Sequence, residues 1–350
     1  MEGLDLTDVA LLLPEPIDEL LLFQRYYVMG FERVAAMRLD PPPLVRRFLG
    51  SPARQLTTLA RVHSRLRRLR RLTPPDNAWS VGCYLVMSER GHTKVAIDAF
   101  DSHGVWLPEI VEWSDVYFKA NYWPSAVYDD KVRPIVSGNG AVNGRDLARA
   151  RSLRGVEKDI DVTFISNVWG GREHNVRLFE QLATLECRTE LLAIFPGGRA
   201  DAATRALADR LRSAGVAMSD RPMRRDDLWR TLARSRIVMF RPGVHGCMPW
   251  RTIDLLCMGA CIVLDGVPLP QWPVPLEPGV HYASCGILRQ ESAHADPAEY
   301  QRVGQTIRSL LGQPEEQERL RSNAAAYYDA HAAPERVAAY VLDTVEKGGI

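Results

Sequence analysis

The chain has 350 residues, 46% of them hydrophobic and 25% charged, values of two ordinary globular domains and not of a disordered chain. Its formal net charge of +1 supplies no global pull toward nucleic acid, and no nucleic-acid partner is expected. No apolar run reaches the length of a membrane span, and LLLPEPIDELLLF is broken by prolines and acids. The start lacks the basic region and small-residue cleavage site of a secretory signal. Six cysteines at spacings without a disulfide framework point to a reducing cytoplasm.

Residues 1–75 read as mostly helical, punctuated by Asp40-Pro41-Pro42-Pro43 and Thr73-Pro74-Pro75-Asp76. Between these breaks lies a basic helix with Arg61, Arg65, Arg67, Arg68, Arg70 and Arg71. It reads as a solvated or domain-packing face, or as a peripheral contact with an anionic membrane at its inner face. A nucleic-acid contact is the weakest reading, because no aromatic residues interleave the arginines.

From Trp79 the pattern alternates between strand and helix. WSVGCYLVM, TKVAIDAF and DVYFKAN are β-rich runs, and their spacing predicts an open parallel sheet with ligands at the carboxyl ends of its strands. Asp98, Asp101, Ser102 and His103 cluster at such an end, and Lys119 follows in the next run. A neutral His103 imidazole there would donate to a bound sugar or shuttle a proton, with Asp101 orienting it and Asp98 behind. The bland alternative is a loop histidine that caps local backbone. GNGAVNG does not match G-x-G-x-x-G, so a nicotinamide site is a poor reading.

Ser137 to Asp159 is rich in Gly, Asn and Arg and reads as an inter-domain linker. Gly170-Gly171-Arg172 forms a turn at the head of the next helix, where backbone N–H groups can meet an anion and Arg172 can reach over it. Arg172 reads alternatively as a surface residue of that turn. The segment Arg241–Asp265 then supplies a glycine-bearing loop, a short helix, a glycine exit and a buried strand. Pro249 suits the helix start and Gly259 its end, while Ile253, Leu256 and Cys257 form one apolar face. Arg251 and Asp254 lie three apart, and Asp254 can accept two hydroxyl hydrogen bonds, as from a ribose diol. His245 and Gly246 stand in the preceding loop, where His245 serves either a phosphate or a turn. Cys247, Cys257, Cys261 and Cys285 lack paired zinc-knuckle spacing and read as packing residues.

The run RTIDLLCMGACIVLDG resembles the donor-site helix and strand of GT-B glycosyltransferases, particularly the family 4-like and spore-maturation (CgeB-like) branches. DVTFISNVWGGREHNVRLFEQL resembles the first strand, glycine loop and helix of their donor domain. ELLAIFPGG, DDLWRTLARSRIVMF and LEPGVHYAS follow in the family's order, so the resemblance covers roughly residues 155–345. Asp254 takes the position of the family's acidic residue. The partner acid eight positions earlier falls on Gly246, so half of that motif is missing.

The resemblance implies an α/β, GT-B architecture: two Rossmann-like parallel-sheet domains facing across a cleft, with a helical N-terminal extension. It implies an acceptor domain over 1–145, a donor domain over 155–330, and a helix at 331–350 that crosses back to the first domain. The implied activity is transfer of a sugar from a nucleoside diphosphate (UDP or GDP type) to a glycan, lipid-linked or natural-product acceptor. Arg172 would act on the diphosphate and Asp254 on the ribose, with Arg251, His245, Gly246 and Gly171 completing the donor site. Asp101 and His103 would face the transferred sugar, with Lys119 and Asp98 on the acceptor side. No D-x-D carboxylate pair is expected to be present to hold a metal, so metal-independent transfer without a cofactor is expected, and the resemblance implies retention. Inversion with Asp101 or His103 as base is the alternative within enzymes, and a silent nucleotide- or glycan-binding subunit the alternative outside them.

Overall fold

The computed structural model describes residues 7–14, 19–42, 50–69, 81–89, 91–105, 107–168, 172–195, 202–241, 243, 247–264, 270–286 and 296–348. Two six-stranded sheets organise the chain. The first is built from β1 (Asp8–Leu12), α1 (Arg25–Val34), β2 (Ala36–Asp40), α2 (Pro52–Leu69), β3 (Val81–Ser88), β4 (Gly91–Asp98), α3 (Pro108–Trp113), β5 (Val116–Lys119) and β6 (Val132–Pro134). Its strand order is β2-β1-β3-β4-β5-β6.

This sheet departs from expectation in two respects. Besides the helical stretches Glu19–Gln24, α1 and α2, the first 75 residues contribute two strands, β1 and β2, to the sheet, which the expected helical extension did not include. Nor is the sheet purely parallel: β3 runs antiparallel to both β1 and β4, while β4, β5 and β6 are mutually parallel. Ser88 pairs with Gly91 across a two-residue connection, and so short a link can join only antiparallel neighbours. The basic helix α2 turns Ala53, Leu56 and Ala60 inward and leaves Arg61 and Arg65 exposed. The side chains of Arg67 and Arg68, and all of Arg70 and Arg71, lie outside the described residues. Among the described residues no helix is long and apolar enough to cross a membrane.

The second sheet follows α4 (Gly144–Ser152) and runs through β7 (Ile160–Asn167), α5 (Arg172–Ala183), β8 (Thr189–Ile194), α6 (Ala202–Ser213), β9 (Ala217–Ser219), α7 (Arg225–Ala233), β10 (Ser235–Phe240), α8 (Arg251–Met258), β11 (Ile262–Leu264) and β12 (Ala283–Ser284). All its described pairings are parallel, in the order β12-β11-β10-β7-β8-β9. The chain starts at β7, works outward to β9, then returns to β10 on the other side of β7. That reversal opens a crevice beyond the carboxyl ends of β7 and β10, where ligands of such sheets lodge.

Three helices end the chain: α9 (Pro297–Leu311), α10 (Pro314–Tyr327) and α11 (Pro334–Glu346). The first two stay with the second domain. A π-helical turn at Tyr328–Ala332 then redirects the chain onto α1. Tyr26 donates to the Ala332 carbonyl, Arg33 pairs with Glu335, and Val337, Ala338 and Val341 join the core cluster that runs from the first sheet into the second domain.

The crossing is close because position 30 has no side chain. A Cβ on Gly30 would stand 2.1 Å from the Pro334 carbonyl oxygen, and the backbone has nowhere to retreat. Gly30→Ala should therefore cost at least about 2 kcal/mol of stability, as overpacking does in a close-packed site. Urea denaturation measures it; a variant as stable as wild type would mean α11 is not held against α1.

Candidate functional site

A cleft of about 700 Å³ occupies the crevice that the topology creates. Its floor is the end of β7, Phe164 to Asn167, and the end of β10, Met239 to Arg241. The N-terminal side of α8, from Pro249 to Asp254, forms one wall, and Arg225, Leu228 and Trp229 of α7 another. Asp101, Asn139 and Ala141 reach it from the first domain and the connecting segment.

The donor-type helix forms as its sequence demands, with a shift at its start. Helix α8 begins at Arg251, and Pro249 precedes it, supplying the carbonyl that Thr252 N–H meets at 2.9 Å. Gly259 ends it in the left-handed region with φ of 61°, and Arg154 Nε caps the Cys257 carbonyl at 2.8 Å. All of Thr252 to Met258 is buried.

Asp254 sits in the cleft wall but is not an open carboxylate awaiting a diol. Its Oδ1 accepts from Asn139 Nδ2 at 2.9 Å and its Oδ2 from Trp229 Nε1 at 3.1 Å, with 6% of the residue exposed. Asn139 belongs to the expected linker, which is not a loose tether: Ile135 to Gly140 are all buried. Gly138 is small for packing, not for phosphate, since a Cβ there would meet the Tyr26 ring at 2.5 Å. Arg251, half-buried, donates Nη1 to the Ile165 carbonyl at 2.7 Å, so it ties α8 to the end of β7. Burial pulls its pKa down, and the Asp254 charge opposes that.

On the first-domain side, the expected acceptor contacts are corrected. Asp98 and Lys119 are fully buried, face one another across the β4–β5 pairing, and form an ion pair at 3.0 Å. Asp98 also accepts from Tyr117 Oη at 2.7 Å and Phe100 N–H at 2.8 Å. Neither residue lines the cleft, because a charge in an apolar sheet must spend its bonding capacity on its own partners. His103 is exposed on the surface, its ring 6.4 Å from that of Trp123 and its carbonyl bonded to Tyr128 Oη, and it too lies outside the cleft lining. Asp101 lines the cleft. Gly170, Gly171, His245, Gly246 and the side chain of Arg172 lie outside the described residues; the backbone of Arg172 opens α5.

Four residues of the cleft were not singled out from sequence. Trp229 and Asn139 hold Asp254. Arg225 donates to the Ala141 carbonyl and to Asp146, both at 2.7 Å. Arg241 follows β10 directly and donates to Asn175 Oδ1 at 2.6 Å. Its signal was present: a cation at the carboxyl end of a buried strand stands where such sheets bind ligands.

A D-x-D spacing does exist, contrary to expectation, at Asp159-Ile160-Asp161. It lies at the amino end of β7, away from the cleft, where Asp159 pairs with Arg188 and Arg234 and Asp161 with Arg236. Cys247, Cys257, Cys261 and Cys285 are buried. Burial raises the thiol pKa of Cys257 to about 11 and of Cys261 to about 12, the behaviour of packing groups. Among the described residues no three His, Cys, Asp or Glu gather as metal ligands.

Burial raises the Asp254 pKa from 3.8 to about 6, with the bonds from Trp229 and Asn139 and the charge of Arg251 opposing the rise. The folded protein thus holds this proton more tightly than the unfolded chain. The carboxyl contributes its full share of stability below pH 3.8 and loses it as the pH rises through 6. Asp254→Asn, which cannot ionise, should gain on wild type between about pH 4 and about pH 7, by up to about 3 kcal/mol beyond any constant offset. Urea titrations across that range measure it; a flat difference would show that Asp254 keeps an ordinary pKa.

No protein-family model matches the chain, and no curated protein does. Solved structures do. A glycosyltransferase from Rickettsia africae ESF-5 aligns over 99% of both chains at 9% identity, with a TM-score of 0.54. HepE from Anabaena, solved with UDP, aligns over 97% of this chain and 99% of its own at 13% identity, with a TM-score of 0.50. Sucrose-phosphate synthase from Thermosynechococcus elongatus aligns over 68% of this chain and 59% of its own at 14% identity, with a TM-score of 0.46, so this chain spans little more than half of that enzyme. At such identities the likeness speaks to architecture alone. The fold is GT-B: two α/β domains, each built on its own sheet, with the cleft between them.

Proposed function

We propose that the protein is a glycosyltransferase that binds a nucleoside-diphosphate sugar in the cleft and transfers the sugar to an acceptor approaching from the first domain. The observation that carries this reading is the cleft itself: it lies at the β7/β10 reversal, with Arg241 at its floor, the start of α8 in one wall and Arg225 in another. The fold likeness to HepE, whose structure contains UDP, supports a nucleotide of the UDP or GDP type. The RTIDLLCMGACIVLDG run supports a family 4-like or CgeB-like branch.

In this reading Arg241 and Arg172 hold the diphosphate, aided by backbone N–H groups at the helix starts. Asp254 offers a ribose hydroxyl whatever lone pairs Asn139 and Trp229 leave, since an ionised carboxylate has about four acceptor sites. As the bond from the sugar C1 to the diphosphate oxygen breaks, negative charge grows on that oxygen, and fixed cations stabilise it. The acceptor oxygen bonds to C1 on the same face, and its proton passes to the departing diphosphate. This retaining course asks no base of the protein. Metal independence is part of the proposal, because the described acids of the cleft are Asp101 and Asp254, and Asp254 is already bonded twice.

The direct test is turnover of UDP- and GDP-sugars, including slow hydrolysis without acceptor, in the presence of EDTA. Donor turnover should persist, and Arg241→Ala and Arg172→Ala should each lower it about 10²–10³-fold, as loss of a preorganised donor to a developing charge does. Donor binding without turnover would instead make the protein a silent nucleotide-binding subunit. Abolition by EDTA with rescue by Mg²⁺ would assign the leaving-group role to a metal.

Asp101 separates the two stereochemical courses, because it is the acid that the first domain brings to the cleft. Under retention, Asp101→Asn should keep turnover within about tenfold, whereas a lost general base costs about 10²–10⁴-fold. A loss of the larger size, with an inverted anomer by NMR, would make Asp101 the base of an inverting enzyme.

A further inference from the structure

A second cavity, of about 730 Å³, opens between α1, α2 and the start of α4. Arg25, Arg33, Arg54, Arg61 and Arg145 line it against one described carboxylate, Glu32. Arg33 is paired with Glu335, and Glu32 accepts the Ala53 backbone N–H at the start of α2. Arg25, Arg54, Arg61 and Arg145 form no ion pair with any described residue. The Nε of Arg25 is buried without a hydrogen-bond partner among the described residues.

Such convergence of like charges is by itself unfavourable. Burial pulls the Arg25 pKa down; the Asp146 charge opposes this, Arg61 and Arg225 add repulsion, and Glu32 adds a smaller attraction. An anion seated among these groups would relieve the repulsion and satisfy the buried donor. Planar guanidinium forks match phosphate oxygens two at a time, and the four that form no ion pair suit a group with at least two negative charges.

We propose that this cavity binds a phosphate-bearing anion, a phosphomonoester or diphosphate group, at a site separate from the cleft. The group belongs either to a free phosphorylated compound or to a phospholipid head. Val62 and Leu66, large apolar side chains exposed on α2, give the lipid source a place to rest. The two cavities share one segment: Asn139 and Ala141 line the cleft, and Asn143 to Arg145 line the arginine cavity. Arg225 bridges them through Ala141 and Asp146.

The test compares the full-length wild type with the double variant Arg54→Ala/Arg61→Ala, both exposed positions, with folding checked by thermal melting. Arg145→Ala is the second variant should the first not fold. Inorganic pyrophosphate binding by calorimetry reads the free-phosphate source, and co-sedimentation with phosphatidylcholine vesicles containing phosphatidic acid reads the lipid source. Neither Arg54 nor Arg61 lines the cleft, so the comparison reads this cavity whether or not the cleft holds a nucleotide. Loss of affinity by about tenfold or more for either probe supports the site and identifies its source. Equal binding by wild type and variant, or no binding of either probe by wild type, overturns it.

Discussion

One apolar cluster runs from the first sheet into the second domain, and a few buried hydrogen bonds within it fix the relation between the two sheets. Asn139 and Trp229 grip Asp254 from two sides, and Met248 is held at its N–H by Asn121, at 3.0 Å, and at its carbonyl by Ser137, at 3.3 Å. A polar group removed from water is costly unless its bonds are replaced, so each partner constrains the next. The loop before α8 therefore cannot shift without breaking bonds rooted in the first domain. Mutual position of the domains and shape of the cleft are one property.

The ion pair of Asp98 and Lys119 belongs to the same scaffold. Asp98 fixes the Phe100 N–H, and the Phe100 carbonyl in turn accepts from Asn121 at 2.8 Å. Asn121 then meets Met248. A chain of bonds thus runs from the middle of the first sheet to the loop beside the cleft. Charged residues at a strand end resemble catalytic candidates in a sequence; here they orient the amide that orients the loop.

That difference shows what the sequence carried and what it did not. The α8 side of the cleft was legible because its signals are local: an apolar face at helical spacing, a glycine exit, and a strand order that places the crevice. The 6% exposure of Asp254 was not legible, since its partners lie 25 and 115 residues away in the chain. Strand β1 escaped notice because a five-residue apolar run has no periodicity to distinguish it from helix, and its pairing partner β3 begins at Val81. Lys119 and Asp98 looked like separate polar residues near strand ends until the β4–β5 register set them opposite each other.

The clasp of α11 over α1 reverses the order in which the molecule is made and completed. The cluster on the outer face of the second sheet draws on residues from Val162 to Leu320, so it can close as soon as that stretch has left the ribosome. The cluster that joins the first sheet to the facing side of the second, begun earlier, lacks Val337, Ala338 and Val341 until those residues emerge. Until then the flat face at Gly30 and the residues around it stay bare to solvent, an exposed apolar surface of the kind chaperones meet. The layer between the two sheets, begun first, closes after the layer behind the second.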